Sequence, residues 1–218
     1  MVAPSILSAD LLSLGDEIRL LNHSNADWIH FDVMDGVFVP NLTFGIPICE
    51  AIKQIAQKPI DAHLMVAQPE QLIPSFAKAG ASCISIHYEV VTHLHRTITQ
   101  IKELGCKAGV AINPHTPVSV LEDIIGELDY VCLMSVNPGY AGQKFISHTF
   151  EKVAKLRKLI EKQNANALIQ VDGGINIENG KELVKQGADI LVAANFIYKS
   201  SNKLEAIDSL KNLFVIYK

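Results

Sequence analysis

Eight times along the chain a short apolar run gives way to an amphipathic stretch, and that alternation limits the fold more than any single motif. The apolar runs occupy residues 3–7, 28–33, 59–65, 83–87, 107–112, 130–136, 167–171 and 190–193. Between them apolar residues return at helical spacing, as in Leu14, Ile18 and Leu21, or Phe150, Val153, Leu156 and Ile160, or Leu204, Ile207, Leu210 and Phe214. The pattern predicts helices from about Ser13, with Ser13 and Asp16 as a capping box, and across Ile48, Ile52 and Ile55. Further helices are expected to open at Pro69, to cover 91–104, to start near Pro117, to follow Ser147 as N-cap, and to cover 177–185. Gly80, Gly105 and Gly187 each stand just past a helix, where a left-handed cap is needed. Eight strand–helix units in 218 residues predict an α/β fold, a (β/α)8 TIM barrel forming a single domain over 1–218. A doubly wound open sheet is the competitor, but it normally has fewer strands and a glycine fingerprint after the first, which this chain lacks.

Composition excludes several roles. With 49% hydrophobic and 19% charged residues the chain has ample material for a core. A net charge of −4 without a basic stripe argues against nucleic acid as a partner. No apolar run approaches the roughly 20 residues of a membrane span, and no leader is evident after Met1. Cys49, Cys83, Cys106 and Cys132 form no CxxC pair, and three of them sit in apolar strand-like runs. Reduced, buried thiols and a cytoplasmic location are the expectation.

In a barrel of this kind chemistry gathers at the C-terminal ends of the strands. Those ends carry Ser5; His30, Asp32 and Met34; His63 and Met65; His87; Asn113; Met134 and Ser135; Asp172; then Ala194 and Asn195. The strand starts carry no comparable set. Strand alternation puts His30, Asp32 and Met34 on one face. Taken singly, each His or Asp reads as a hydrogen-bonded core residue. Together, His30, Asp32, His63 and Asp172 offer two imidazoles and two carboxylates on one rim, a set suited to one divalent ion, Zn²⁺ first, with Fe²⁺, Mn²⁺ or Co²⁺ compatible. His87 could join them, support them or touch substrate.

Asp32 and Asp172 lie on the second and seventh strands, so they are expected to face each other across the mouth. Such a pair can take a proton from one face of a substrate and return one on the other, which inverts a stereocentre. A single base working on one face would instead suit an aldose–ketose isomerase. Met34, Met65 and Met134 are ordinary core filler by default, yet three inward positions at one level suggest a polarizable, water-excluding cap. Gly173 and Gly174 follow the seventh strand, where barrels often bind phosphate through backbone N–H groups. The segment 137–143, with Gly139, Tyr140, Ala141 and Gly142, reads as a lid over the same region.

Ala3-Pro-Ser-Ile-Leu-Ser-Ala-Asp10, Trp28-Ile-His-Phe-Asp-Val-Met-Asp-Gly36, Val39-Pro-Asn-Leu-Thr-Phe-Gly45, Asp61-Ala-His-Leu-Met-Val66, Met134-Ser-Val-Asn-Pro-Gly139 and Val171-Asp-Gly-Gly174 carry a further signal. Together they resemble the ribulose-phosphate 3-epimerase family along essentially the whole chain. The resemblance implies interconversion of D-ribulose 5-phosphate and D-xylulose 5-phosphate in the pentose phosphate pathway, and a homo-oligomer. It implies that His30, Asp32, His63 and Asp172 hold the metal, that Asp32 and Asp172 are the acid–base pair, and that Ser5 and His63 contact substrate. The lid at 139–142, Gly173 and Gly174 would surround the phosphate. The chain departs from the family pattern twice, with Ala141 in a Gly-Gly-Gln position and Ala194-Asn195 where Gly-Ser is usual. Backbone N–H groups can still serve there if Ala194 keeps φ negative. A relative acting on allulose 6-phosphate shares the metal and acid–base residues and is the alternative substrate reading. A lyase or decarboxylase on a related barrel would want a lysine beside the acidic strand end, but the nearest to His30-Phe31-Asp32 is Lys53. A non-catalytic phosphosugar sensor would not need two opposed carboxylates.

Overall fold

Parallel pairing runs without a break through eight strands of the computed structural model, which describes residues 1–217. The strands are β1 (Val2–Pro4), β2 (Ile29–Met34), β3 (Ile60–Met65), β4 (Ala81–His87), β5 (Lys107–Ile112), β6 (Tyr130–Met134), β7 (Leu168–Asp172) and β8 (Ile190–Ala193). Consecutive strands are neighbours from β2 to β8, and β1 pairs with β8. A parallel bridge between Ser5 and His30 joins the two remaining edges and closes the ring. The fold is a (β/α)8 barrel, as the sequence pattern requires.

Both faces of the sheet are covered, which is why the strands are nearly continuous in Val, Ile, Leu and Ala. Ile29, Phe31, Val33, Ala62, Leu64, Ile84 and Ile86 point outward into a core shared with the helices. Ala3, Trp28, Cys83, Tyr130, Ile190 and Val192 fill the lumen from below. The covering helices are α1 (Leu14–His23), α2 (Ile46–Lys53), α3 (Ile73–Lys78), α4 (Leu94–Glu103), α5 (Thr149–Lys162), α6 (Ile177–Lys185), α7 (Asn195–Tyr198) and α8 (Lys203–Tyr217). Gly80, Gly105 and Gly187 follow α3, α4 and α6 with φ of 103°, 78° and 107°, the left-handed caps that their positions called for.

Several local expectations give way. The first strand stops at Pro4, and Ile6–Ser8 turns as a 3₁₀ segment. Ser13 does not cap α1, because its hydroxyl donates to Asp10 (2.9 Å), which itself caps the turn ahead through the Leu12 N–H. Pro69 opens a 3₁₀ turn rather than α3, and a 3₁₀ turn at Tyr88–Val90 delays the start of α4 to Leu94. No α-helix forms after Pro117; the β-branched, Gly-interrupted segment makes 3₁₀ turns at Val118–Leu121 and Ile125–Glu127. His148, not Ser147, is the N-cap of α5, without a side-chain bond. The one-turn helix α7 at Asn195–Tyr198 has no counterpart in the apolar spacing.

Candidate active site and metal centre

Period-two alternation carries His30 and Asp32 on β2, Asp61 and His63 on β3, and Gln170 and Asp172 on β7 into the lumen. Register then stacks them in two layers, with His30 beside Asp61 and Asp32 beside His63. His30, Asp32, His63 and Asp172 each contribute one ligand atom to a group in which all four lie within 4.8 Å of one another. Asp32 Oδ1 stands 3.2 Å from both His30 Nε2 and His63 Nδ1. Asp172 Oδ2 lies 3.7 Å and 3.6 Å from the same two nitrogens. Ser5 donates its hydroxyl to Asp32 Oδ2 at 2.5 Å.

A metal ion with bonds of about 2.0–2.2 Å needs ligand atoms about 3–4.4 Å apart, so this set fits after a shift of a few tenths of an ångström. His30 supplies an independent sign. Its Nδ1 faces Asp61 Oδ2 at 2.8 Å, whereas its Nε2, fully buried, has no hydrogen-bond partner. With Nδ1–H donating to a carboxylate, the Nε2 lone pair is left aimed at the centre of the cluster, the arrangement that ligating histidines use. The charge also fits. Asp32, Asp61 and Asp172 converge here, and the cavity above is lined by no lysine or arginine.

The two opposed carboxylates are electrostatically unlike. Burial pushes both up. For Asp32 the His30 and His63 imidazoles outweigh it and hold the carboxyl below the ordinary range. Asp172 is pushed up to about 6 by its burial and by the charge of Asp32. Burial would lower His30, but Asp32 and Asp61 outweigh it and raise its imidazole well above the usual value. A dication held by these residues would reverse this balance, displacing the His30 proton and pulling both carboxyls down.

Beneath the cluster Asp61 is fully buried and accepts from three donors: the His30 ring, the Tyr130 hydroxyl (2.7 Å) and the Gln170 amide (2.7 Å). Behind His63, its Nε2 lies 2.9 Å from His87 Nε2, and His87 Nδ1 lies 3.2 Å from Glu89 Oε2. Asp61, Tyr130, Gln170 and Glu89 were not singled out in the sequence. The alternation that marks His63 also marks Asp61, two residues earlier on the same face.

A cavity of roughly 360 Å³ opens above Asp32 and Asp172. Ser5, Met34, Met65, Met134, Gly139, Tyr140, Ala141, Gly142, Gly173, Gly174, Ala194 and Asn195 all line it, with Gln143 from the same lid segment. They are joined by Leu7, Val136 and Asn176, none of them a candidate site residue from the sequence. His63 does not; it is wholly buried and reaches the cavity only through the cluster. Met34 and Met65 pack with Val39, while Met134 packs apart, with Ala111 and Cys132. Gly173 has a structural need besides any ligand, since at φ +117° an added Cβ would come within 2.5 Å of Val136. Ala194 keeps φ at −107°. The segment 137–143 is tied together by Gln143, whose amide donates to the carbonyls of Asn137 (2.6 Å) and Tyr140 (3.0 Å). Among the described residues no helix is long and apolar enough to cross a membrane.

Residues 1–198 match the sequence profile of the ribulose-phosphate 3 epimerase family. The chain is 49% identical over 211 residues to ribulose-phosphate 3-epimerase of Bacillus subtilis (strain 168), covering 96% of this chain and 97% of that protein. It is 42% identical over 213 residues to ribulose-phosphate 3-epimerase of Escherichia coli (strain K12), covering 97% and 95%. Its fold is shared with 3-hexulose-6-phosphate synthase from Salmonella typhimurium, at a TM-score of 0.73 and 16% identity over 100% of this chain and 99% of that one.

Proposed function

The chain belongs to the ribulose-phosphate 3-epimerase family, isomerases acting on carbohydrates, and from that premise we propose that it inverts C3 of D-ribulose 5-phosphate by proton transfer between Asp32 and Asp172 with a divalent ion held between them. The observation that carries the reading is the joint approach of both carboxylates to the same two imidazole nitrogens.

His30 Nε2, His63 Nδ1, Asp32 and Asp172 would hold the ion, Zn²⁺ first by ligand type, with Fe²⁺, Mn²⁺ and Co²⁺ as alternatives. Bound there, it would supply Lewis-acid stabilisation of the negative charge that develops on substrate oxygens. One carboxylate removes the C3 proton from one face, and the other, as the acid, returns a proton to the opposite face. The substrate passes between them as a planar enediolate, and the exchange of roles makes the reaction reversible. General acid–base transfer of this kind contributes about 10²–10⁴ in rate. Ser5, donating to Asp32, fixes that carboxylate's rotamer. Met34, Met65 and Met134 border the cavity with soft apolar surface, which keeps water from the reacting carbon.

Gly139, Tyr140, Ala141, Gly142, Gly173, Gly174, Ala194 and Asn195 would enclose the phosphate. Gly142 supports this, because a Cβ there would lie 2.6 Å from Asn195 Nδ2, so the lid and the start of α7 already meet. A place in the pentose phosphate pathway, in a reducing cytoplasm, follows from this substrate and from four free, buried cysteines. The exposed apolar side chains of Leu12, Val37 and Leu42, in the loops after β1 and β2, support association between copies of the chain.

The test is to incubate the chelator-stripped and the metal-restored protein with D-ribulose 5-phosphate in deuterated water. The expected result is D-xylulose 5-phosphate labelled at C3, formed only with metal. Turnover without label would refute the proton-transfer route, equal turnover without metal would refute the ion, and preference for allulose 6-phosphate would move the substrate assignment.

A further inference from the structure

Glu89 touches none of the four residues of the cluster, yet it stands at the end of an unbroken line of contacts leading to one of them. Its Oε2 faces His87 Nδ1 (3.2 Å), and His87 Nε2 faces His63 Nε2 (2.9 Å). The two rings lie nearly parallel, 24° apart, and Phe38 packs on His87. We propose that Glu89, acting through His87, determines which nitrogen of His63 is free to bind a cation, so that both are positioning residues for the site. The inference rests on the reading of His63 as a metal ligand.

Proton bookkeeping carries it. A contact between two ring nitrogens needs one donor and one acceptor. A ligating His63 presents the Nδ1 lone pair, so its proton sits on Nε2, and His87 Nε2 must accept it. His87 then carries its own proton on Nδ1, where the Glu89 carboxylate, an acceptor only, receives it. With a cation on Nδ1 each link admits one arrangement; without one, His63 Nδ1 faces the Asp32 carboxylate, an acceptor only, at 3.2 Å. Glu89 is in turn held from outside the line: Oε1 accepts from the backbone N–H of Asn113 (2.8 Å) and from the Thr116 hydroxyl. That loop is itself clamped by the buried Lys152, whose ammonium donates to the carbonyls of Asn113 (2.7 Å) and Pro114 (3.2 Å).

Glu89→Gln keeps the shape and reverses the message. The Asn113 N–H claims the amide oxygen, which turns the NH₂ group toward His87 Nδ1. His87 must then accept there and donate from Nε2, and His63 is left with its proton on Nδ1, aimed at Asp32. His87→Gln removes the dependence, because an amide oxygen at about the place of Nε2 accepts from His63 whatever residue 89 is.

The experiment measures Zn²⁺ affinity by chelator competition for wild type, E89Q, H87Q and the double variant, alongside ¹⁵N-histidine spectra. E89Q is expected to bind Zn²⁺ about tenfold to a hundredfold more weakly, the usual cost of losing a partner behind a ligating histidine. H87Q and H87Q/E89Q are expected to bind alike. The metal-free E89Q spectrum should show His63 protonated at Nδ1 and not at Nε2, where the wild type carries a proton toward His87. Unchanged affinity in E89Q, or the same loss from E89Q when residue 87 is Gln, overturns the proposal. Should E89Q fail to fold, the zinc-loaded wild type still decides: His87 must show the Nδ1–H form, and the Nε2–H form overturns it. A wild type that binds no Zn²⁺ would instead sink the metal reading of the cluster, and this inference with it.

Discussion

Asp32 and Asp172 share two imidazole partners but not an environment. Asp32 Oδ1 is 3.2 Å from each nitrogen and its other oxygen takes the Ser5 hydroxyl, whereas Asp172 stays 3.6–3.7 Å away. In the metal-free site one carboxyl is therefore held ionised, and the other, pushed up to about 6, accepts a proton readily. A pair of acids whose surroundings drive them apart is the arrangement that acid–base catalysis needs.

Asp172→Asn should therefore abolish epimerisation, with a loss of at least about 10²–10⁴ in kcat, while the fold survives because the amide occupies the same space. Thermal melting of the metal-free variant checks the fold, and loss of C3 deuterium exchange checks the chemistry.

Asp61→Asn should weaken metal binding without touching any ligand. Asp61 Oδ2 takes the His30 ring and Gln170, and Oδ1 takes the Tyr130 hydroxyl. An amide can keep these contacts, its NH₂ donating to the hydroxyl, but it loses the negative charge behind the His30 ring. Loss of the carboxylate behind a ligating histidine costs about 10–100-fold in metal affinity, with a small change in stability. Chelator competition measures the affinity, and denaturant unfolding checks that the fold is kept.

Acid should destabilise the metal-free protein earlier than its carboxylates alone would. Burial lowers the His87 imidazole from 6.5 to about 4. A depressed group contributes stability that is present above its unfolded value and is lost as pH falls through its folded one. The loss therefore runs from about pH 6.5 to 4 and reaches about 3 kcal/mol. Asp172, pushed up to about 6, contributes with the opposite sign over much of the same window. The His87 share is therefore read as the difference between wild type and His87→Gln in urea unfolding from pH 6.5 to 4.

Gly173→Ala should destabilise the protein by about 1–3 kcal/mol from backbone strain, with further cost from the approach of its Cβ to Val136. The melting temperature should fall by about 2–4 °C for each kcal/mol. An unchanged melt would mean that the loops after β6 and β7 yield more easily than their packing indicates.

The barrel and its reactive rim were legible because both follow from local rules. Period two placed His30 with Asp32, and recurring apolar runs counted eight strands. Glu89 escaped because it sits in a 3₁₀ turn and owes its role to Asn113 and Thr116, more than twenty residues downstream. Asp61 escaped for another reason. A carboxylate deep in a lumen is meaningful only once its donors are known, and Tyr130 and Gln170 come from strands far along the chain. The helix expected near Pro117 failed because apolar spacing alone does not weigh the β-branched residues and Gly126 against it.

Tyr130 reaches Asp61 only because β5 carries Gly109 beside its ring, where an added Cβ would come within 2.4 Å. Foundation and workplace are thus one piece of masonry. A substitution on the barrel floor, far from any sugar, would travel upward through a phenol and a carboxylate to tilt an imidazole, so the rim's geometry depends on residues that no substrate ever meets.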